Sequence, residues 1–306
     1  MKPQTIRAAK KGLDRWLERF SGSESAIDDF IAHDPVQFPL RWARLHGAAP
    51  GGALQNGARQ NGTRQNGASL LSAEQRADIE IAAFLAAAIA WGRRDLIIRS
   101  AQKMFAMMEP GPAAFVMSGG HRGLKSRGAA GERCVHRTFF EGDLKYFCRG
   151  LKSCYEKYGS LESLFAGAGD TDASANAGAD VWQRISLFRR EMAAGNKGGA
   201  SKHVANPDAN SACKRVNLAL RWLARKGPVD TGLWSRVKPS ALCIPLDVHV
   251  ARNARKLGLL KRKSNDRKAV VELTENLRAF CPEDPIKYDF ALFGSAILSG
   301  GDHAGS

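Results

Sequence analysis

Two residues in this sequence have the types and neighbours that covalent chemistry would need. Lys214 opens the stretch KRVNLALRWLARKG, and Asp247 closes the arm IPLD, directly before VHVARNARKLGLL. A lysine at the start of a helix opposes the helix dipole, so Lys214 calls for a reason to be there. It is either a contact to phosphate or solvent, or an amine nucleophile, which attacks only in its neutral form and passes through a covalent intermediate. Asp247 also has two readings. Its carboxylate can cap the helix starting at Val248, accepting an orphan N–H at the positive end of the dipole. The same ionised group, delivered to the base of a packed cleft by the apolar run Ile244-Pro245-Leu246, would stabilise a cation developing on a substrate. Spacing alone favours the cap.

Behind Asp247 comes a basic run, with eight Lys or Arg and one acid, Asp266, between Arg252 and Lys268. Such runs are ordinarily solvated faces. Here the run begins about one helical turn after Asp247, so a phosphate backbone meeting it would pass the acid. The whole chain shares this bias: 306 residues carry 46 Lys+Arg against 30 Asp+Glu, a formal charge of +16. That surplus favours polyanionic partners without choosing among DNA, RNA and anionic membrane. The apolar and charged fractions, 44% and 25%, are those of a soluble globular protein. The N-terminal stretch MKPQTIRAAKKGLDRW lacks the apolar core of a secretory signal, and the longest apolar run, Ile81 to Trp91, is too short to cross a bilayer. A cytoplasmic, nucleoid-associated protein is expected. Six scattered cysteines form neither a CxxC nor a Cys/His ligand spacing, so no metal or other cofactor is expected, and most should be small buried hydrophobes.

The elements that must position these groups read as helices throughout; no strand alternation is convincing. Nine helices are expected: one through Ile6, Leu13, Trp16 and Phe20, then 78–92, 96–108, 144–158, 182–192, 214–226, 248–257, 270–280 and 288–298. The 78–92 segment, DIEIAAFLAAAIAWG, is apolar nearly all round and should be a central buried helix. Pro110 and Pro112 read as its follower's stop. QNGARQNGTRQNGAS, residues 55–69, is a polar, glycine-rich repeat that reads as a loop insertion, and 119–131 and 166–180 are similarly loop-like. The expectation is one all-α unit with two helical lobes, one from 1–50 plus 258–299 and the other from 70–257.

These residues resemble a known superfamily. KRVNLALRWLARKG followed by IPLDVHVARNARKLGLL is similar to the helix-hairpin-helix (HhH-GPD) DNA glycosylases, whose lysine-bearing helix precedes a [VL]-D-x-H-[VI]-x-R segment. Across residues 34–298 the stretches DPVQFPLRW, DIEIAAFLAAAIAWG, HRTFFEGDL, YGSLESLF and DPIKYDFALFG resemble an uncharacterised, mainly bacterial branch, domain-of-unknown-function family 2400. The Lys214–Asp247 separation of 33 residues is closer to the archaeal 8-oxoguanine glycosylase branch, which lacks an iron–sulfur cluster. Two departures stand out: the glycine-rich hairpin turn before the lysine is replaced by NSAC, and the final glycine pair reads GSAI.

The resemblance implies a two-lobed fold with nucleic acid across the cleft, Lys214 attacking the sugar C1′ and Asp247 stabilising the oxocarbenium ion. It places Arg215, His249, Arg252, Arg255, Lys256, Lys261, Arg262 and Lys263 as nucleic-acid contacts and Trp91 and Trp222 as candidates for stacking on an extruded base, with core packing favoured for each tryptophan. For His249, a structural hydrogen-bonding role is favoured over that of a base. The expected activity is a DNA glycosylase with abasic-site lyase activity, acting on damaged bases such as oxidised guanine. Its expected partner is DNA, with RNA as the alternative nucleic acid, no membrane, and a monomeric state. The competing expectation is a non-catalytic nucleic-acid-binding protein on the same fold.

Overall fold

The computed structural model describes residues 3–48, 71–167 and 180–298, so the Gln-Asn-Gly repeat and nearly all of the 166–180 loop lie outside the described residues. Thirteen α-helices occur among the described residues. They are α1 (Pro3–Ser21), α2 (Glu24–Ala32), α3 (Gln37–Leu45), α4 (Ala73–Ala88), α5 (Arg94–Ala106), α6 (Pro112–Ser118) and α7 (Glu141–Tyr158). After them come α8 (Leu161–Ala166), α9 (Val181–Ala194), α10 (Lys214–Ala224), α11 (Val248–Lys256), α12 (Arg267–Arg278) and α13 (Tyr288–Leu298). The protein is all-α, as the periodicity implies. A small exception is an antiparallel hairpin of β1 (Cys134–His136) and β2 (Phe139–Phe140), too short to show alternation in sequence.

All nine expected helices form, and α2, α3, α6 and α8 are additions. These four span nine residues or fewer, too few turns for a clear apolar stripe; α11, also nine residues, is marked in sequence by Asp247 before it and Gly258 after it. Pro112, read from sequence as a stop, instead begins α6, where its missing N–H costs nothing.

Helix α4 is the centre. Ser72 and Gln75 close a capping box at its start, and its alanine-rich body is buried at every residue from Ala77 to Ala88. Small side chains let α3, α6 and α10 pack directly on it. Its one deeply buried carboxylate, Glu80, accepts four hydrogen bonds: Tyr155 Oη at 2.6 Å, Trp234 Nε1 at 2.7 Å, and the backbone N–H groups of Leu161 and Glu162 at 3.1 Å. The last two lie in the first turn of α8, so a buried carboxyl group meets a helix N-terminus. Burial pushes the Glu80 carboxyl up, and these four donors oppose that shift.

The C-terminal helix α13 organises the rest. Helix α1 packs along it, with Gly294 so close to the Trp16 ring that a Cβ there would overlap the indole. The Tyr288 hydroxyl donates to Asp14 at 2.8 Å. Helix α11 packs on α13 as well, tied by Asn253 Nδ2 to the Leu292 carbonyl at 2.6 Å. One continuous apolar core runs from Ala9 to Leu292. The α3–α4 and α11–α13 contacts both cross the boundaries expected between the two lobes. Four of the six cysteines, Cys148, Cys154, Cys213 and Cys243, are buried within that core, and burial pushes the Cys148, Cys154 and Cys243 thiols up to about 12.

Glu80→Ala strands two side-chain donors and two backbone N–H groups in the interior. It should cost on the order of 3 kcal/mol or more, measured by urea unfolding, with Glu80→Gln losing less because one acceptor oxygen remains.

Candidate functional site

The site grows from the end of α4. Its last carbonyls have no intrahelical partner and must find donors elsewhere. The chain turns at Ala90-Trp91 and leaves through Gly92, whose φ of +93° suits glycine. Three side chains from distant segments meet the exposed carbonyls. Arg215 Nη1 donates to Ala88 at 2.9 Å, Lys214 Nζ to Ala90 at 3.2 Å, and the His136 ring lies 2.9 Å from the Trp91 carbonyl. Lys214 at the first position of α10 is unfavourable for its own helix, but the negative end of a second helix compensates. The turn before it reaches this position through Asn210 and Cys213, both in the left-handed region at φ +59° and +48°. These residues stand where the resemblance leads one to expect glycine. The Asn210 carbonyl accepts from Arg267 N at 3.0 Å, and Asn210 Nδ2 donates to Asp266, pinning the turn to the start of α12.

Asp247 arrives from the other side of the core. Ile244 N donates to Thr274 Oγ1 of α12 at 3.2 Å, and the buried Pro245 and Leu246 carry the chain to the start of α11. There Asp247 Oδ1 caps the helix, accepting from His249 N at 2.9 Å and Val250 N at 2.8 Å. Its other oxygen, Oδ2, lies 3.7 Å from Lys214 Nζ. The side chains are 31% and 15% exposed, so both are largely but not fully removed from water. The cap and the paired carboxylate are the same group.

Both residues line a cavity of about 850 Å³, together with residues from α2, α5 and α13 and from the turn after α4. Five further charged groups in its wall were not singled out from sequence: Asp34, Arg94, Lys202, Arg221 and Asp289. Asp34 and Asp289 sit in DPVQFPLRW and DPIKYDFALFG, two stretches noted for their pattern. The Asp-Pro that opens each stretch reads only as a helix-start signal. Asp289 bonds Arg221, which also donates to Asp230 at 3.2 and 3.1 Å; Arg225 extends the network to Asp230 and Asp284. Burial opposes the charge of Arg221, yet Asp230, Asp289 and Asp34 hold it firmly protonated. Burial pushes the Asp289 carboxyl up to about 6; Arg221 opposes that shift and the Asp247 charge adds to it.

The remaining candidates divide by position. Trp91 lines the cavity, with its ring stacked on His203 at 5.5 Å and covered by Arg215 at 5.0 Å. Trp222 has no exposed surface, so in this conformation its ring is packed in the core and offers no face to a base. Arg215 is turned inward onto α4 rather than toward solvent. His249 is exposed, its ring edge-on to Phe293. In the basic run, Arg255 donates to the carbonyls of Arg262 and Lys263 and to Asn265, folding the loop on itself. Arg262 pairs with Asp266 through two short bonds, which hold that carboxyl well below the usual carboxylate range. Arg252, Lys256, Lys261 and Lys263 are exposed.

The fold and site define an all-α protein with a lysine–aspartate pair set into a large cavity. The chain belongs to the family described as protein of unknown function, DUF2400, whose model matches residues 69–298. No curated protein and no solved structure matches it. Among the described residues no His, Cys, Asp and Glu cluster could hold a metal ion, and no helix is long and apolar enough to cross a membrane.

Folded Asp289 keeps its proton up to about pH 6, whereas an unfolded aspartate releases it near pH 4. Between those values the native state binds more protons than the unfolded state, so this group lowers stability as pH rises. Asp289→Asn, always neutral, removes that component. The wild-type-minus-variant stability, followed by denaturant unfolding from pH 4 to 7, should therefore fall; a rise would contradict the assignment.

Proposed function

We propose that the protein is a DNA glycosylase with abasic-site lyase activity, acting on damaged bases, with Lys214 as nucleophile and Asp247 as the electrostatic partner. The observation that carries this reading is the 3.7 Å approach of Lys214 Nζ to Asp247 Oδ2 inside a cavity of about 850 Å³. That volume falls in the range of small-molecule sites and suits one extruded nucleoside. On this reading the cavity is the cleft between two helical lobes. The exposed Lys256, Lys261 and Lys263, with Arg252, hold the flanking phosphates. Arg215 acts from within, holding Trp91 and the end of α4 in place.

Extruding the nucleotide costs a few kcal/mol, least for a damaged or mispaired base. As the glycosidic bond lengthens, the bonding electrons leave with the base and positive charge grows on C1′ and the ring oxygen. Asp247 is fixed in place by two backbone N–H groups and stabilises that charge without reorganising. Lys214, its proton passed to the departing base, forms the N–C1′ bond as the glycosidic bond breaks. Ring opening converts the adduct to a Schiff base, and loss of a C2′ proton expels the 3′ phosphate by β-elimination. Ala90 keeps Lys214 aimed before substrate arrives.

One observation favours the non-catalytic alternative. An ion pair that is also tied to a helix end is what a purely structural lysine would make. Borohydride trapping separates the two. Wild type incubated with 8-oxoguanine or abasic-site duplex should yield a covalent adduct that Lys214→Gln abolishes; absence of the wild-type adduct returns Lys214 to a structural role. Asp247→Asn preserves a good cap, so its melting temperature should stay within a few degrees of wild type while cleavage falls at least a hundredfold. Asp247→Ala should lose both, with about 1 kcal/mol of stability gone from the cap alone.

A further inference from the structure

One corner of the cavity has no part in the Lys214–Asp247 chemistry and is organised differently. Asp34, between α2 and α3, uses Oδ1 to accept from Val36 N at 3.0 Å. Its Oδ2 lies 3.8 Å from Arg94 Nη2, beyond hydrogen-bond reach. The Arg94 guanidinium carbon sits 4.7 Å from the Phe293 ring centroid and 5.7 Å from that of Phe30. All four residues line the cavity. Arg94 Nη2 is buried without a hydrogen-bond partner, an arrangement that costs free energy unless something completes it. The side chain as a whole is 32% exposed, so other guanidinium nitrogens remain within reach of a ligand.

A purely structural ion pair would be expected to close to hydrogen-bonding distance, since both partners gain by it. Here an acceptor and a donor stand side by side, slightly too far apart to satisfy each other, beside two aromatic rings. That spacing suits neighbouring polar positions on the edge of a flat heterocycle. A carboxylate only accepts and a guanidinium only donates, so the complementary edge carries one N–H next to one acceptor.

We propose that Asp34 and Arg94 are specificity-determining residues that read the hydrogen-bonding edge of a nucleobase. The substrate class is then a neutral base whose edge keeps an N–H donor beside an acceptor, as oxidised and deaminated bases do. Bases methylated on that edge lose the donor and are rejected, because a buried carboxylate is left facing a methyl group. Burial pushes the Asp34 carboxyl up against the pull of Arg94, consistent with a carboxylate short of donors. This inference deepens the glycosylase reading and rests on it for the identity of the ligand as a nucleobase.

The test uses the full chain and single-stranded oligonucleotides, so that no base has to be unpaired first. Each carries hypoxanthine, 1-methylhypoxanthine or a tetrahydrofuran abasic analogue at one position, and binding is read by fluorescence anisotropy. Wild type should bind the hypoxanthine strand at least tenfold more tightly than either of the others. Arg94→Met keeps the packing between the rings and Asp34→Asn keeps the shape; each should reduce that preference below threefold. Thermal melts confirm folding, with Arg94→Lys replacing the methionine variant if it does not fold. A wild-type preference below threefold, or one that survives both substitutions, overturns the proposal. Wild-type trapping on abasic DNA supplies the separation. Trapping without base preference leaves the glycosylase reading and removes this one, whereas base preference without trapping does the reverse.

Discussion

A buried helix that stops in the interior leaves carbonyls that must be satisfied, and the site of this protein is built on that constraint. Helix α4 is surrounded by apolar packing, and the turn that follows its end forms part of the cavity wall. Lys214 and Arg215 from the first turn of α10 and His136 from β1 come to the carbonyls of Ala90, Ala88 and Trp91. Lys214 would otherwise sit badly at the head of α10. The electrostatic need at the foot of one helix thus fixes the amine of another, and places it at the cavity wall rather than in solvent.

The opposite partner is fixed by the complementary need. The start of α11 leaves N–H groups to be satisfied, and Asp247 satisfies two with one oxygen, leaving the other directed at Lys214. A carboxylate held in this way is difficult to rotate, and a fixed orientation suits a group meant to face a cation. The pair therefore joins two helices of opposite polarity, α4 by its C-terminus and α11 by its N-terminus. Each is anchored on a different part of the core, α4 on α3 and α10, and α11 on α13.

Charge inside the cavity is mixed rather than uniformly basic, three carboxylates standing among five Lys and Arg side chains, although the chain as a whole carries +16. Asp34, Asp247 and Asp289 face Lys214, Arg94 and Arg221 there, and α13 and the segment after α2 supply the acids not already committed to a cap on α11. The surplus of positive charge is a property of the surface, where Arg252, Lys256, Lys261 and Lys263 are exposed. Two members of the same run, Arg255 and Arg262, are spent on folding their own loop. A count of basic residues overstates the number available to a polyanion.

The sequence alone determined the helical class, nine of the thirteen helices, the burial of α4 and the cap at Asp247, because each is a local consequence of periodicity or of one residue beside a helix start. The short helices α2, α3, α6 and α8 were not legible, since six to nine residues show too little of an apolar stripe, whereas the equally short α11 was marked by its Asp247 cap. The roles of Asp34, Arg94 and Asp289 were equally hidden, for each reads locally as a turn or surface residue. Which way Arg215 and Trp222 face, and that Lys214 and Asp247 meet at 3.7 Å, only the tertiary structure decided. Those facts depend on how α4, α10, α11 and α13 pack, and packing between segments far apart in the chain leaves no mark at any single position.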